Sequence, residues 1–470
     1  MMKKTFVLLT MIAFFFSCSD FGDLNVDTKR ATSVPAETLV ANATKNFVDL
    51  MTETSVNRNI FRLFAQSWTE TTYTDETNYD LITRDQPGYH FDVTYRDVLR
   101  DFKEARAILD VADDVTPVAV RNNQYATIAI LEVLAYQVLV DTFGDVPFTE
   151  ALDIENVLPT YDDDQAIYAA ITAQLNDAIA RINTGEGSFG SSDLIYGGDM
   201  GKWVKFANSM KLRMAVRTKS ATMAAEAIAG GVFESNEDNA SFAYLAAAPN
   251  NNPVYQQLIE SGRQDFIPAD THVNILNALE DPRRSVYYDE NLGEGVYKGG
   301  AYGQNAPYGT HTHLGEIFHT ADTPGILMDY PEVEFLMAEA AELGLAGAVG
   351  DAERHYNDAV TASFEFWGVD GAAAYLAKPE VAYTTAGASW QESLAVQKWI
   401  HLFNRGFEAW TTYRLYGFPE MTVPPISNEP VPRRYTYPID ESSRNGASWE
   451  AASSAMGGDE KSSRVFWDAN

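Results

Sequence analysis

The sequence contains a single cysteine, Cys18, among its 470 residues. No disulfide can therefore form within the chain, and its folded part must be stabilised by a large hydrophobic core. A hydrophobic content of 46% is sufficient for such a core. The lone cysteine lies close to the N terminus, where a chemical role other than a disulfide has to be considered.

Basic residues are also scarce, since 34 lysines and arginines stand against 66 aspartates and glutamates, for a net charge of −32. A body of this charge repels nucleic acids and anionic lipids. The balance excludes nucleic acid as a partner and favours a neutral or cationic ligand. An alternative reading is that most of the charge only maintains solubility.

Long hydrophobic runs and catalytic motifs are missing from the body of the chain. Its most apolar segment, residues 126–140, is interrupted by Glu132 and Gln137 and falls short of the roughly 18 apolar residues of a membrane helix. The sequence has no GxSxG nucleophile elbow, no HExxH zinc signature and no phosphate-binding loop. Because 66 acidic residues produce apparent carboxylate pairs everywhere, such pairs do not indicate an enzyme. We expect a binding protein without a cofactor.

The N terminus has the layout of a bacterial lipoprotein signal. Lys3 and Lys4 precede an apolar run at residues 5–16, and Ser17 supplies the small residue before Cys18. Residues 1–17 are therefore predicted to be cleaved and Cys18 to be acylated, with residues 18–31 as a flexible tether. The alternative is an ordinary secretory signal with a buried thiol nearby. We expect the body to be tethered outside the cytoplasm.

Apolar residues at helical spacing dominate the rest of the chain. The helical segments lie at residues 39–50, 95–112, 122–143, 167–182, 202–217, 333–343, 356–367 and 390–415. The pairs at 95–143, 163–217 and 332–367 suggest irregular stacked hairpins of the tetratricopeptide type, without a strict repeat. The acidic run 162–164 is expected to form the first turn of a helix. Residues 220–331 are rich in turn signals and predict a loop-rich inserted region with few short strands. We expect one mainly α domain over residues 32–470.

Five segments carry a resemblance to a known family. They are residues 58–80 (RNIFRLFAQSWTETTYTDETNYD), 95–105 (YRDVLRDFKEA), 141–148 (DTFGDVPF), 330–343 (YPEVEFLMAEAAEL) and 433–445 (RRYTYPIDESSRN). In their joint order they resemble the SusD/RagB family of nutrient-binding outer-membrane lipoproteins. The resemblance implies a SusD-like fold and a cell-surface location. It also implies capture of an oligosaccharide or oligopeptide for a TonB-dependent SusC-like transporter, which the protein covers as a lid.

Two segments offer the aromatic and amide side chains that a sugar site requires, because flat rings stack on sugar faces and amides bind hydroxyls. The first segment contributes Trp68, Tyr73, Asn78 and Tyr79, and the second contributes Tyr297, Tyr302, Asn305, Tyr308 and His311. Core packing is the alternative for each aromatic residue, above all for Trp68, which follows Phe61 and Phe64 at helical spacing. The loop tyrosines of the second segment are expected to be exposed.

Histidines are concentrated at the end of the second segment and just after it, where His311, His313 and His319 lie close to Glu316 in the sequence. An HxH pair on an extended strand can face one metal ion, but this spacing is not a specific zinc pattern. The imidazoles can equally bind ligand hydroxyls or remain in solvent, and we predict no metal site. A peptide ligand stays open beside the glycan, since an acidic surface attracts cationic peptides.

Overall fold

The computed structural model describes residues 34–112, 116–345 and 351–468. The predicted signal, Cys18 and the tether at 18–31 lie outside the described residues. The α-helices are Ala36–Thr52 (α1), Phe61–Phe64 (α2), Gln86–Asp92 (α3), Arg100–Val111 (α4), Val118–Phe143 (α5), Asp164–Arg181 (α6), Met200–Thr218 (α7), Ala221–Gly230 (α8), Pro253–Tyr255 (α9), Asp270–Ala278 (α10), Arg284–Tyr287 (α11), Tyr330–Glu342 (α12), Ala352–Phe366 (α13), Ala372–Leu376 (α14), Trp390–His401 (α15), Gly406–Tyr416 (α16), Glu441–Arg444 (α17) and Gly446–Ala455 (α18). The mainly α prediction is confirmed.

Short polar side chains begin the helices of this frame. Asp163 accepts a hydrogen bond from the backbone N–H of Ala166 at 2.8 Å, so the acidic run at 162–164 starts α6 as predicted. Asp329 caps α12 in the same way through Glu332. Such caps satisfy N–H groups that have no partner within the helix, which fixes where each helix begins.

Helix α5 lies at the centre of the molecule. It is long and apolar enough to cross a membrane, yet 94% of its most apolar window is buried inside the protein. Helix α6 packs along α5, and α8 packs along α7. The predicted pairs, α4 with α5 and α6 with α7, are in contact less extensively. In these regions each observed hairpin therefore begins one helix later in the chain than predicted. The predicted pair α12–α13 is confirmed.

The predicted helix at 390–415 is two helices, because the first helix ends at His401 and the second begins at Gly406. Gly406 lies against the backbone of Phe61 and Arg62, where an added Cβ would overlap main-chain atoms. This close approach brings α16 onto α2 and so onto the segment that leads to Trp68.

The region predicted to be loop-rich, residues 220–331, begins with a regular helix, α8. The strands are Trp68–Glu70 (β1), Ala240–Phe242 (β2), Phe266–Pro268 (β3) and Gly325–Met328 (β4). They form two antiparallel pairs, with β1 beside β3 and β2 beside β4. Trp68 lies opposite Pro268 in the first pair, which brings residue 70 and the loop after it onto the inserted region. The single-domain boundary at 32–470 stays a prediction.

Buried ion pairs link the helices of the frame. Arg213 on α7 forms two hydrogen bonds to Glu332 on α12, at 2.7 and 3.0 Å, and lies 3.5 Å from Glu408 on α16. Arg217 pairs with Glu408 and with Asp141 on α5. Each of these side chains is less than a tenth exposed. We call this set the frame network, and it ties four helices together through largely buried charges.

Candidate functional site

The two segments predicted to bind ligand lie against each other. The backbone N–H of Ala306 donates to the carbonyl of Thr71 at 3.0 Å, and the amide of Asn78 donates to the carbonyl of Gly303 at 2.9 Å. Residues 71–78 and 297–313, far apart in sequence, therefore form one surface at the end of β1.

A third segment, residues 421–427, completes this surface and was missed in the sequence. The backbone N–H of Ser427 donates to the Asn78 side chain at 3.2 Å, and Gln66 bonds the backbone of Thr422. Gly303 has a φ of +71° and packs so closely that an added Cβ would lie 2.7 Å from Pro424. In the sequence, the only sign of this segment was a run of aliphatic residues among prolines. We call the three segments together the loop cluster.

The accessible side chains of the loop cluster are aromatic, aliphatic and amide groups. Tyr73 is 71% exposed, Val423 50% and Ile426 70%, and Asn305 is exposed as well. Tyr73 adopts a positive φ of 55°, a conformation that is uncommon for a bulky residue and is often found at binding sites. The structure thus presents a tyrosine and a carboxamide to solvent on adjoining loops.

Tyr308 and His313 form a stacked pair beside these groups. Their ring centroids are 3.7 Å apart at an interplanar angle of 15°, and the Nε2 of His313 lies 3.2 Å from the carbonyl of Tyr308. Burial raises the pKa of the half-buried Tyr308, and the nearby Asp289 raises it further. The stack gives a flat, rigid and partly exposed ring surface.

Tyr297 is half-buried and lies against charged neighbours. Its hydroxyl donates to Glu290 at 3.1 Å, and the guanidinium of Arg284 lies 5.5 Å from its ring centroid. One face of the ring is therefore already in contact with a cation, and its hydroxyl already has an acceptor. Tyr297 lines the edge of the cluster and does not project from it.

Three predicted ligand residues are buried, and their assignment to a ligand surface is corrected here. Trp68 and Tyr79 are 0% exposed and Tyr302 is 1% exposed. Trp68 packs among Phe266, Phe318 and Phe403, while the hydroxyl of Tyr302 donates to the carbonyl of Leu63 at 2.7 Å. The expectation that the loop tyrosines are exposed is wrong for Tyr302, because its ring fills the space between the loop and α2. These residues hold the loop cluster in place.

Asn78 and His311 are also used internally. Both the donor and the acceptor atoms of the Asn78 amide are engaged by neighbouring loops, as described above. His311 is 9% exposed, with its Nδ1 at 2.9 Å from the carbonyl of Pro307. Their contacts shape the cluster and leave Tyr73, Asn305 and the Tyr308–His313 stack as the groups that face solvent.

The remaining histidines are spread over this region. His313 Nδ1 lies 3.9 Å from Asp289, and His319 Nδ1 lies 3.9 Å from Glu316. Within the described ranges, no histidine of this loop belongs to a group of three potential metal-ligand atoms that lie within 4.8 Å of one another. His313 is instead held by its ring contact with Tyr308.

A pair of buried carboxyl groups lies beneath the loop that carries Tyr73. Glu70 accepts hydrogen bonds from the backbone N–H and the hydroxyl of Thr77, at 3.0 and 2.9 Å, and Glu76 accepts from Gln86 and Arg84. Burial, together with a hydrogen bond to Glu76, raises the pKa of Glu70 to about 9. The raised pKa favours the protonated form of Glu70 at neutral pH. Both groups are enclosed and support the loop, so they do not form the open acid–base pair that glycoside hydrolysis needs.

The loop cluster can bind a ligand that presents apolar faces and hydroxyl groups. Flat rings at Tyr73 and Tyr308 suit the C–H faces of sugar rings, and the free amide of Asn305 suits their hydroxyls. The surrounding hydrogen bonds fix the loops before a ligand arrives, which lowers the entropic cost of binding.

The architecture is similar to that of a known protein family and of several solved structures. The SusD-like family model described as "Starch-binding associating with outer membrane" matches residues 28–438. No curated protein sequence matches the chain. Among solved structures, a chitin-binding SusD homologue from Flavobacterium johnsoniae is 25% identical with a TM-score of 0.79, over 93% of this chain and 99% of that one. A SusD homologue from Bacteroides uniformis is likewise 25% identical with a TM-score of 0.79, over 92% and 99% of the two chains.

A homologue from Bacteroides thetaiotaomicron, at 23% identity and a TM-score of 0.78, covers 93% of this chain and 100% of its own, and shows the fold alone. The family model spans most of the chain, and the predicted resemblance is confirmed. The protein belongs to the SusD-like family.

Proposed function

We propose that this protein is a cell-surface lipoprotein of the outer membrane that captures a neutral oligosaccharide and delivers it, as a lid, to a TonB-dependent SusC-like transporter. The observation that carries the proposal is the loop cluster, where Tyr73, Asn305 and the Tyr308–His313 stack face solvent on loops fixed to a helical frame. Binding, without catalysis, is the role of such a surface.

A neutral glycan suits both the surface and its relatives. Aromatic and amide groups recognise sugar rings without charge, and a chain of net charge −32 repels anionic polymers in general. The Flavobacterium johnsoniae homologue is a chitin-binding protein, and chitin is an uncharged polymer. Chito-oligosaccharides are therefore the first ligands to test.

The sequence and the family description support the location. Acylation at Cys18 would anchor the protein, and the family associates with the outer membrane. The transporter follows from the family resemblance, in which the barrel supplies the energy of import and the lipoprotein supplies capture.

The test is isothermal titration of the purified protein with the hexasaccharides of chitin, cellulose and starch. We expect one of them to bind, and Tyr73→Ala and Tyr308→Ala each to weaken binding about 5- to 30-fold, as the loss of about 1–2 kcal/mol of ring contact predicts. Tyr125→Ala is the matched control, because this half-buried tyrosine lies on α5 and its hydroxyl donates to Asp110 on α4 rather than to the loop cluster. Equal affinity in all variants would remove the loop cluster as the site. Binding of an oligopeptide in place of every glycan would change the ligand class.

A further inference from the structure

A second concave surface lies on the helical frame and shares no residue with the loop cluster. It consists of two adjoining hollows of about 560 and 400 Å³ that meet at Lys219 and Trp467. Helices α6 and α7 border the first hollow, and the start of α15 and the end of α16 border the second. We call the two hollows together the helical groove.

The charge of the helical groove is opposite to that of the protein. No Asp or Glu lines it among the described residues, although such residues number 66 of 470 in the chain. Lys219 and Arg217 do line it. Arg217 is neutralised by Asp141 and Glu408, whereas Lys219 is exposed and forms no ion pair within the described part of the chain. The described residues that line the groove thus carry a net positive charge, at Lys219.

Lys219 is held at this position by the backbone. It ends α7 with a positive φ of 53°, and its N–H donates to the carbonyl of Ala215. This left-handed residue directs the chain into the turn before α8, at the junction of the two hollows. The ammonium group therefore stands between them.

The walls of the groove offer rings and unused hydrogen-bond donors. Trp390 packs edge to face on Tyr416, with ring centroids 5.5 Å apart, and is partly exposed. Within the described ranges, its indole N–H and the side-chain amides of Gln165 and Gln391 make no hydrogen bond, and all three residues line the hollows. A ligand that presents several oxygen acceptors can satisfy these donors.

We propose that the helical groove binds an acidic oligosaccharide, with a uronate carboxylate on Lys219 and a sugar ring against Trp390. Sugars present many oxygen acceptors and flat faces, which match the donors and rings of the walls. A peptide fits less well, because none of the residues that line the hollows belongs to a β-strand with which its backbone could pair. The site is independent of the proposed capture of a neutral glycan.

The test titrates the purified protein with hexamers of galacturonate and of guluronate and with a hyaluronan hexasaccharide. At least one should bind, and affinity should fall as NaCl rises from about 0.05 to about 0.5 M, because salt screens an exposed ion pair. Lys219→Gln should weaken binding about tenfold, and Lys219→Arg should keep it within about threefold, since it retains the charge. Trp390→Ala should weaken it about tenfold as well.

Neutral hexasaccharides and loop variants separate this site from the loop cluster. Tyr73→Ala should leave uronate affinity unchanged, and Lys219→Gln should leave both the affinity for a neutral hexasaccharide and the melting temperature unchanged. The proposal is overturned if no uronate binds, if Tyr73→Ala and not Lys219→Gln abolishes uronate binding, or if a hexaglutamate peptide binds more tightly than every uronate.

Discussion

One buried carboxyl group of the helical frame, Glu408, and one beneath the loop cluster, Glu70, favour opposite states of protonation. Glu408 in the frame is buried, which alone would raise its pKa, yet Arg213, Arg217 and Arg405 lower that pKa to about 2. Glu70 beneath the loop cluster is buried without an arginine of its own, and burial together with Glu76 raises its pKa to about 9. The placement of cations decides the difference.

We expect these two carboxyl groups to respond to pH in opposite directions. The stabilisation from ionised Glu408 is fully present above its unfolded pKa, near 4.5, and is lost as pH falls toward 2. For Glu70 the unfolded chain releases its proton above about 4.5 while the folded protein keeps it to about 9. Its contribution therefore falls as pH rises through that range.

The largest expected effect comes from breaking the frame network. Arg213→Met keeps the length of the side chain but removes both hydrogen bonds to Glu332. We expect the free energy of unfolding to fall by about 3–5 kcal/mol, because a buried carboxylate loses one of its cations. Urea unfolding at pH 7 measures this loss.

The control for Arg213→Met is an ion pair of the same type on the surface. Arg444 and Asp440 are 68% and 58% exposed, so Arg444→Met should change the free energy of unfolding by less than about 1 kcal/mol. Similar losses in the two variants would show that burial adds nothing to the frame network.

A smaller effect of opposite sign is expected beneath the loop cluster. Glu70→Gln keeps a donor for Glu76 and an acceptor for Thr77 but cannot lose a proton. The variant should be more stable than the wild type by about 1–3 kcal/mol at pH 7. Urea unfolding at several pH values should show the gain growing from about pH 5 toward pH 9.

Glu76→Gln tests whether Glu70 is the carboxyl group that holds the proton. This change also removes one carboxyl group of the pair, but it deprives Arg84 and Gln86 of their shared acceptor. We expect it to destabilise the protein by about 1–2 kcal/mol. Stabilisation by Glu76→Gln and not by Glu70→Gln would place the proton on the other carboxyl group.

The helical frame could be predicted from the sequence because its signal is local. Leu39, Ala43 and Phe47 repeat at helical spacing, and the same holds for Ile167, Ile171 and Leu175, so each helix is visible without its neighbours. The break before Gly406 was not visible, since it depends on the backbone of α2, more than 300 positions earlier. The predicted helix pairs α4–α5 and α6–α7 differed from the observed pairs α5–α6 and α7–α8 for the same reason, because packing between helices is not visible in the local sequence.

The loop cluster could be predicted in its residue types but not in their orientation. The two segments were found from tyrosines and amides, yet composition does not tell which ring turns inward. Tyr302 turns inward because a carbonyl of α2 accepts its hydroxyl, and Tyr73 turns outward on a loop held by Glu70. Residues 421–427 were missed because only the fold brings them to Asn78.

The smallest expected effect is the difference in unfolding free energy between Tyr302→Phe and Tyr73→Phe. Tyr302→Phe removes a buried hydroxyl that donates to Leu63, and we expect a loss of about 1 kcal/mol in the free energy of unfolding with no change in glycan affinity. Tyr73→Phe should leave stability unchanged, because its ring is 71% exposed. Urea unfolding and titration of both variants with the bound hexasaccharide measure the two quantities. If Tyr302→Phe weakened glycan binding without loss of stability, the ligand would have to reach the buried ring, and the loop that carries Tyr302 would have to open when the glycan binds.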